Sequence, residues 1–264
     1  MDLGYQDSSV VVTGGASNIG RAIALGFAAE GARVTIGDID GEQAGRVADQ
    51  ARASGGRVQA VATDVTDLAQ VQRLFAAAES AHGPVKVLVN AVGWDRLMYF
   101  TETTPEFWDT IIRINFVGVL NCTRVALDGM LKAGGGAIVS ISSDASRQGE
   151  PREAVYGGVK AAVNSFMKTI AKENGRFGVR CNVVCPGVTI PDDPAEVGER
   201  SMWANKGAMF TDEQLEKVAK ALPLKKIGKP QDIANAVLFL ASDRVAGHIT
   251  GQVLSVSGGY SMAG

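Results

Sequence analysis

Short valine-rich runs alternate with longer alanine-rich helical stretches along the 264-residue chain, from Ser9 to Ser257. This alternation is typical of strand–helix–strand units whose strands form a parallel sheet. Consecutive strands of that kind are joined by right-handed crossovers, so helices cover both faces of the sheet. We therefore expect one doubly wound α/β domain over residues 1–264. The predicted strands lie near residues 9–13, 33–37, 58–62, 85–90, 137–142, 180–184 and 252–256.

The alternation is interrupted from Thr189 to about Lys229. Two prolines and two aspartates break the pattern at residues 191–194, including Asp192, before a weak helix predicted around residues 211–221. A long insertion at the carboxyl edge of a sheet is usually a lid or a pocket wall. The alternative is a solvated connector without contact to a ligand.

Composition and charge narrow the range of partners. The net charge of −2, with lysines and arginines scattered among acidic residues, provides no basic stripe for a phosphate backbone, so we expect no nucleic acid partner. The chain does not begin with a basic segment and an apolar core, and no apolar run is predicted to approach the roughly 18 residues of a membrane helix. We expect a cytoplasmic protein that binds no membrane.

The three cysteines, Cys122, Cys181 and Cys185, indicate packing rather than chemistry. They cannot all pair, and none lies near a histidine at the spacing of metal ligands. Cys181 and Cys185 are four apart in a predicted strand, which places them on one face. Because free cysteine is among the most buried residue types, we interpret them as core residues and predict no metal site.

A glycine-rich turn follows the first predicted strand. Residues 13–20 read TGGASNIG, and a helix is predicted from about residue 21 to residue 30. Glycine lets a backbone approach a pyrophosphate closely, and a helix amino end offers free N–H groups and partial positive charge. Such a turn alone is a weak signal, because many only pack. The candidate phosphate-binding residues are Gly14, Ser17, Asn18, Ile19 and Gly20.

Asp38 ends the second predicted strand, 18 residues after Gly20. A carboxylate there would accept hydrogen bonds from the hydroxyls of an adenosine ribose and repel a 2′-phosphate. Arg33 lies at the start of that strand, away from Asp38, so the sequence favours NAD over NADP. Further candidate contacts come from residues that end or follow the third and fourth strands. These are Asp64, Val65, Asn90, Ala91 and Gly93.

Tyr156 and Lys160 are the candidate catalytic pair. They are four residues apart in a predicted helix, so both project from one face. Tyrosine titrates near 10, and a neighbouring ammonium together with the positive charge of an oxidised nicotinamide would lower that pKa toward the range of a useful base. Ser143 follows the fifth strand and could bind the substrate oxygen. The sequence thus predicts proton transfer coupled to hydride transfer.

The features described above belong to a set of motifs that extends over nearly the whole length of the chain. They lie in residues 13–20 and 90–93, at Asn115, Ser143, Tyr156 with Lys160, Pro186–Gly187, and residues 249–251. Together they resemble the short-chain dehydrogenase/reductase family. The sequence departs from the family pattern in having Asn18 at the position of the middle glycine, where a left-handed backbone is tolerated by asparagine. A second departure is that Ala91 and Val92 follow Asn90, and a third is Pro191 where a cofactor-contacting threonine often falls.

The resemblance implies a single-domain Rossmann fold with a seven-stranded, mostly parallel sheet in the order 3-2-1-4-5-6-7. It also implies that Tyr156 exchanges a proton with the substrate oxygen, which Ser143 orients. Lys160 would bind the nicotinamide ribose and lower the tyrosine pKa, and Asn115 would hold a water linking Lys160 to solvent. The nicotinamide carboxamide would be held by the segment after the sixth strand, namely Pro186, Gly187 and Thr189. A homotetramer built on helices around residues 105–132 and 156–176 and on the last strand is implied as well.

Within the family, the segments around residues 93–95, 143–149, 153–156, 182–187 and 252–259 are similar to 2-hydroxycyclohexanecarboxyl-CoA dehydrogenases. The resemblance implies an alicyclic β-hydroxyacyl thioester as substrate, with Trp94, Asp144 and Glu153 flanking the reacting carbon. For each of these three, a packed rim without substrate contact is the alternative. Two other functions stay open: a general reductase of 3-oxoacyl thioesters or cyclic ketones, and a non-catalytic nucleotide sensor, which would not need an intact proton relay.

Overall fold

The computed structural model describes residues 2–191, 193–202, 204 and 210–262. In this part of the chain seven strands form one sheet in the order β3-β2-β1-β4-β5-β6-β7, and every neighbouring pair is parallel. The predicted order is confirmed, and each predicted strand is present with its ends shifted by no more than two residues. The strands are β1 Ser9–Thr13, β2 Arg33–Asp38, β3 Arg57–Ala62, β4 Val85–Asn90, β5 Gly136–Ile141, β6 Val179–Pro186 and β7 Val253–Val256.

Helices connect the strands and cover both faces of the sheet. The first begins at Asn18 rather than near residue 21, because the N–H of Arg21 already donates to the carbonyl of Ser17 at 3.1 Å. The helices among the described residues are α1 Asn18–Ala29, α2 Gly41–Ala53, α3 Leu68–His82, α4 Pro105–Ile112, α5 Gly118–Ala133, α6 Ala145–Gln148, α7 Ala154–Asn174, α8 Asp212–Ala221, α9 Pro230–Ala241 and α10 Asp243–Ala246.

The sheet separates two hydrophobic cores, as the pleat of β1 shows. Val10 and Val12 pack with residues of α1, α2 and α9, whereas Val11 points to the opposite face and packs with residues of α3, α5 and α7. All five residues of β1 are buried, which is why the strand is a continuous apolar run rather than an alternating one. Cys181 and Cys185 belong to the second core together with Cys122, as predicted, and none is in a disulfide.

A π-helical turn, Arg113–Val117, joins α4 and α5 into one helix from Pro105 to Ala133. By length and composition this helix could cross a membrane, so the prediction that no apolar run approaches that length is wrong. The prediction overlooked it because Asp109, Arg113 and Asn115 interrupt the apolar residues. In the fold, 44% of its most apolar window is buried, and α5 packs against α3 and β4.

The segment between Thr189 and Lys229 contains α8, close to its predicted range, and a strap formed by residues 193–202. Gly198 N donates to Ser17 Oγ at 2.7 Å, and Arg21 Nη1 lies 3.0 Å from Glu196 Oε1. The strap therefore contacts the glycine-rich turn. This contact favours the interpretation of the segment as a lid and disfavours a solvated connector. Asp192, one of the residues predicted to break the pattern, lies outside the described residues.

Candidate active site

A cleft of about 770 Å³ lies beyond the carboxyl ends of the strands. One end is formed by the glycine-rich turn after β1 and the other by residues around Tyr156 on α7. In a doubly wound sheet ligands bind at this edge, where strand order reverses between β1 and β4. Most of the predicted site residues line this cleft, while two of them, Asn90 and Asn115, lie behind it.

The glycine-rich turn is packed so closely that side chains are excluded at two positions. A Cβ on Gly20 would lie 1.9 Å from the carbonyl oxygen of Gly14, and a Cβ on Gly14 would lie 2.8 Å from the backbone nitrogen of Val92. Gly14 also has φ of +71°, which strains any residue with a side chain. Glycine at both positions therefore keeps the turn folded against the end of β4.

Asn18 has φ of +45°, in the left-handed region, as expected for an asparagine in place of a glycine. Its side chain is buried, and neither Nδ2 nor Oδ1 has a hydrogen-bond partner among the described residues. Both Asn18 and Ile19 line the cleft. The first turn of α1 contains no acidic residue, and Ser17 makes no side-chain cap. The amino end of α1 is thus suited to an anionic ligand group.

Asp38 is oriented by two backbone donors at the carboxyl end of β2. Its Oδ2 accepts from Ala16 N at 3.0 Å and its Oδ1 from Asp40 N at 2.9 Å. Burial raises the pKa of the carboxyl, and these hydrogen bonds oppose that effect. Arg33 is at the far end of the strand and pairs with Asp7 at 2.8 Å. Asp38 is therefore a fixed acceptor at the turn end of the cleft, away from Arg33.

Four of the five further predicted contacts reach the cleft. Asp64, Val65, Ala91 and Gly93 line it. Asn90 instead lies in the core, where Nδ2 donates to Ser140 Oγ at 3.1 Å and its Oδ1 has no partner among the described residues. The burial of Asn90 places it in support of the strand ends and not in direct contact with a ligand in the cleft.

Tyr156 lies two residues after the start of α7 and faces the end of β5. Tyr156 and Ser143 both line the cleft, and the serine hydroxyl is near enough to the phenol to favour its ionised form and lower its pKa. Gly157 makes this approach possible, because a Cβ there would lie 2.9 Å from the carbonyl oxygen of Ala145. Ser143 Oγ also accepts from Ala145 N at 3.2 Å, which fixes the hydroxyl toward α7.

Lys160 comes one helical turn after Tyr156 and is 1% exposed. Its Nζ donates to the carbonyl of Ile141 at 3.1 Å and lies 5.5 Å from the centroid of the Tyr156 ring. Asn115 is fully buried in the π-helical turn, and such turns often occur at functional sites. A Cβ on Gly93 would lie 3.4 Å from Lys160 Nζ and 3.5 Å from Asn115 Oδ1. The structure therefore brings Lys160 Nζ and Asn115 Oδ1 together on the same side of Gly93.

Burial opposes the ionisation of both groups of the catalytic pair. It raises the pKa of Tyr156, and the charges of Glu153 and Asp95 raise it further, while the hydrogen bond from Ser143 lowers it by less. Burial also lowers the pKa of Lys160 to about 8. In the protein without a cofactor, the lowering of the Tyr156 pKa expected from Lys160 is therefore smaller than the rise caused by burial and the two carboxyls. The contribution of a cofactor's positive charge stays a prediction.

The segment after β6 completes the far wall of the cleft. Pro186, Gly187 and Thr189 all line it. The hydroxyl of Thr189 donates to the carbonyl of Gly187 at 3.0 Å, and Thr189 pairs with Gly228 as an isolated bridge. A Cβ on Gly187 would lie 2.8 Å from that of Ser257, so the turn packs tightly against the end of β7. The backbone of this turn is presented to the cleft at a fixed position.

The three predicted substrate residues all line the cleft at the end nearest Tyr156. Trp94 packs against Phe107, with the ring centroids 6.1 Å apart. Asp144 is 1% exposed; its Oδ1 accepts from Ser255 Oγ at 2.5 Å, and its Oδ2 has no partner among the described residues. Burial raises the pKa of Glu153 to about 7, and the charge of Asp95 adds to this.

Sequence reasoning missed Asp95 as a site residue, although it directly follows Trp94. The structure places it on the cleft wall, 6% exposed, where burial raises its pKa to about 6. A charged residue in an apolar loop directly after the fourth strand is the signal that could have identified it. Four apolar residues that line the cleft were missed as well, because their segment has no recognisable motif. They are Met202, Phe210, Val218 and Leu222.

Comparison with known proteins agrees with this geometry. A family model described as enoyl-(acyl carrier protein) reductase matches residues 14–261. The chain belongs to the short-chain dehydrogenase/reductase family, and it is an oxidoreductase that acts on CH–OH groups. The chain is 29% identical to a solved 7α-hydroxysteroid dehydrogenase complexed with NADH and 7-oxo glycochenodeoxycholic acid, with a TM-score of 0.89 over 98% of this chain and 96% of that one.

Curated relatives span nearly the full length of the chain. It is 34% identical to the 2,3-dihydro-2,3-dihydroxybenzoate dehydrogenase of Bacillus subtilis, over 98% of both chains. It is 35% identical to a (2S)-[(R)-hydroxy(phenyl)methyl]succinyl-CoA dehydrogenase subunit of Thauera aromatica, over 98% of this chain and 99% of that one. A 3-oxoacyl-[acyl-carrier-protein] reductase of Thermotoga maritima is 34% identical over 94% and 96%.

Proposed function

We propose that the protein interconverts a secondary alcohol and a ketone with NAD as its cofactor, and that the substrate is an alicyclic β-hydroxyacyl thioester of ring degradation. The observation that carries the chemistry is that Tyr156, Ser143 and Lys160 line one cleft together, with Lys160 Nζ 5.5 Å from the centroid of the Tyr156 ring. A nucleotide sensor has no need of this arrangement.

The turn end of the cleft fits a dinucleotide. Gly14 and Gly20 let the turn fold tightly onto its own backbone beside the cleft, and the unpartnered amide of Asn18 provides polar atoms for a phosphate. Asp38 supports NAD over NADP, because its oriented carboxylate would accept from ribose hydroxyls and repel a 2′-phosphate. Pro186, Gly187 and Thr189 would hold the nicotinamide end.

Each residue at the catalytic end has its own role in the transfer of the proton. NAD, when bound, supplies the carbon that accepts the hydride. During oxidation the deprotonated phenolate of Tyr156 takes the proton of the alcohol, and during reduction the neutral phenol donates its proton to the ketone oxygen. Ser143 holds the same oxygen by a hydrogen bond and stabilises the charge that develops on it. Lys160 keeps a positive charge near the tyrosine, and Asn115 Oδ1 lies on the same side of Gly93 as Lys160 Nζ.

The substrate assignment is supported by apolar side chains that line the cleft and by the names of two relatives. The apolar side chains of Met202, Phe210, Val218 and Leu222 provide a wall for a hydrocarbon ring. The relative from Thauera aromatica is named for a hydroxyacyl-CoA, and an acetoacetyl-CoA reductase of Synechocystis is 32% identical over 98% of this chain. The second name also supports a general 3-oxoacyl thioester reductase as the second candidate function.

A panel of substrates tests the proposal. The protein is mixed with NAD or NADP and with 2-hydroxycyclohexanecarboxyl-CoA, a linear 3-hydroxyacyl-CoA or cyclohexanol, and NAD(P)H formation is followed by absorbance. We expect the highest kcat/KM with the cyclic thioester and NAD. Preference for the linear thioester and NADP would support the second candidate, and no turnover of any alcohol despite cofactor binding would refute the enzymatic function.

A further inference from the structure

Two carboxyl groups flank Tyr156 at the catalytic end of the cleft. Asp95 lies in the loop after β4, and Glu153 directly precedes α7. Both residues line the main cleft, and both also line a small adjoining depression together with Tyr156. Each carboxyl is close enough to Tyr156 for its charge to raise the tyrosine pKa. A substrate oxygen bound to Tyr156 would therefore lie near both of them.

Asp95 is held in place through the backbone of Trp94, the residue that precedes it. Asn115 clamps the backbone of Trp94: its Nδ2 donates to the Trp94 carbonyl at 2.8 Å, and its Oδ1 accepts from the Trp94 N–H at 3.2 Å. The side chain of Asp95 is 94% buried, since it is 6% exposed, and its Oδ2 has no hydrogen-bond partner among the described residues. A buried, unpartnered acceptor on a cleft wall favours a donor or an uncharged group opposite it and disfavours a second anion.

Glu153 adds negative charge without local compensation. Its side chain caps no helix N–H, although the residue is at the N-cap of α7. Burial, Asp95 and Glu150 are the influences on its pKa, and all three raise it. The surroundings of Glu153 thus already resist one negative charge. They would resist a substrate carboxylate at the same place more strongly.

Two of the cations that the described part of the chain places at this end donate to backbone carbonyls. Lys160 Nζ donates to Ile141 O at 3.1 Å, and Arg152 Nη2 donates to Leu97 O at 3.0 Å. Lys160 favours the ionised form of Asp95, yet burial has the larger effect. Arg96, next to Asp95, is turned toward the ring of Phe107, with its Cζ 5.5 Å from the centroid. In the described part of the chain, neither Arg152 nor Arg96 is thus aimed at a carboxylate beside the reacting carbon.

We propose that Asp95 and Glu153 form a charge filter at the catalytic end of the cleft, which admits substrates with an uncharged ester or thioester beside the reacting carbon and rejects the corresponding free acid. The inference rests on the proposed function and specifies the form in which the acyl group must arrive. A reaction that activates the acid as a thioester must therefore precede this dehydrogenase.

A matched pair of probes tests the filter: 2-hydroxycyclohexanecarboxylate and its methyl ester, which differ in one charge. The ratio of kcat/KM for ester to acid is measured with NAD at about pH 8.5, where the Asp95 and Glu153 carboxyls are ionised. We expect the wild type to prefer the ester, and D95N and E153Q each to narrow the preference by about tenfold, because each removes one repulsive charge while keeping the shape of the side chain. The gain should appear mainly in the KM of the acid.

D109N is the matched control, because it removes an exposed carboxylate from α4 away from the cleft and should leave the ratio unchanged. An ester-to-acid ratio that is the same in the wild type, D95N and E153Q would overturn the filter. So would a wild type that prefers the acid.

A binding measurement separates the filter from the proposed function. The rise in Tm caused by ester or acid is recorded in the presence of NADH. If neither probe is turned over but the ester alone stabilises the wild type and the acid also stabilises E153Q, the filter is supported while the proposed reaction fails. Equal stabilisation by the acid in all variants would refute the filter whether or not turnover occurs.

Discussion

The hydroxyl of Tyr156 lies between Ser143, which favours its ionised form through a hydrogen bond, and two carboxyls, Glu153 and Asp95, which oppose it. Burial adds to the opposition and is the largest of these effects. A tyrosine in such surroundings is mostly protonated at neutral pH. It is then ready to donate a proton to a ketone and poorly prepared to accept one from an alcohol.

The pH dependence of the two directions should therefore differ. Because the base form of Tyr156 becomes more populated as pH rises toward its raised pKa, we expect alcohol oxidation to accelerate between about pH 7 and 9. Ketone reduction should stay nearly constant over that range, because the phenol remains largely protonated. E153Q removes one of the charges that raise the tyrosine pKa, so its oxidation profile should shift to lower pH. Rate profiles for wild type, E153Q and the D109N control measure this, and identical profiles would exclude an effect of Glu153 on Tyr156.

Asp38 is the residue on which cofactor choice depends. D38N keeps the size of the side chain and one carbonyl oxygen but removes the charge, so it should weaken NADH binding and relax the exclusion of NADPH by about tenfold. The two dissociation constants are measured by the fluorescence of the bound dinucleotides. An unchanged ratio of the two constants would contradict the proposed ribose contact.

At the scale of elements, the glycine-rich turn and α1 act as one unit that β1, β4 and the strap hold together. Gly14 packs on the backbone of Val92, and Ser17 accepts from Gly198 in the strap. The Arg21–Glu196 pair adds a second link between α1 and the strap. A dinucleotide bound at this turn would thus be covered by residues of the segment between Thr189 and Lys229.

The carbonyl of Gly14 leaves no space for a side chain at Gly20. Because the Cβ of alanine would lie 1.9 Å from that oxygen, we expect G20A to displace the turn, weaken NADH binding by at least about tenfold and lower the free energy of unfolding by roughly 1–3 kcal/mol. Thermal unfolding and dinucleotide titration measure the two effects.

Gly45, inside α2, gives a matched control, since a Cβ there meets no atom within 4 Å. G45A should keep NADH binding and raise the stability by about 0.5–1 kcal/mol, because alanine favours a helix over glycine. If G20A and G45A bound NADH equally well, the close packing of the turn would not be required for the cofactor.

Helices and strands could be predicted from the sequence where a local pattern of residues has a single physical explanation. The strands were found because a parallel strand buried on both faces is a continuous apolar run. The order of the sheet and the roles of Ser143, Tyr156 and Lys160 came from a resemblance, since spacing alone does not place Tyr156 beside Ser143. Asp95 was missed because its burial depends on Asn115, 20 residues later in the chain, holding the preceding backbone. The sequence does not show which apolar residues between Thr189 and Lys229 face the cleft, because their place there follows from tertiary packing.

At the scale of the whole molecule, several large apolar side chains are exposed to solvent when a single chain is considered by itself. In the region where the family resemblance implies an interface, these are Ile112 and Leu131 on the long helix, 41% and 37% exposed, and Leu254 on the edge strand β7, 40% exposed. Exposed apolar side chains on an edge strand favour association with another copy. We propose a homotetramer in the cytoplasm built on these surfaces.

Light scattering coupled to size-exclusion chromatography tests the assembly. The wild type should have four times the mass of one chain. L254K should give smaller species, because a charge would be buried at the interface. A wild type at the mass of a single chain would contradict the tetramer without affecting the chemistry proposed for the cleft.

The central claim is that Tyr156 transfers the proton in a hydride-transfer reaction with NAD. The most direct measurement compares the wild type with Y156F for NADH formation from the best alcohol of the panel and for NADH binding. Since only the ionisable hydroxyl is removed, we predict a fall in kcat of about 10²- to 10⁴-fold with dinucleotide affinity nearly unchanged. Retained turnover in Y156F, or an equal loss of turnover and binding, would contradict the account.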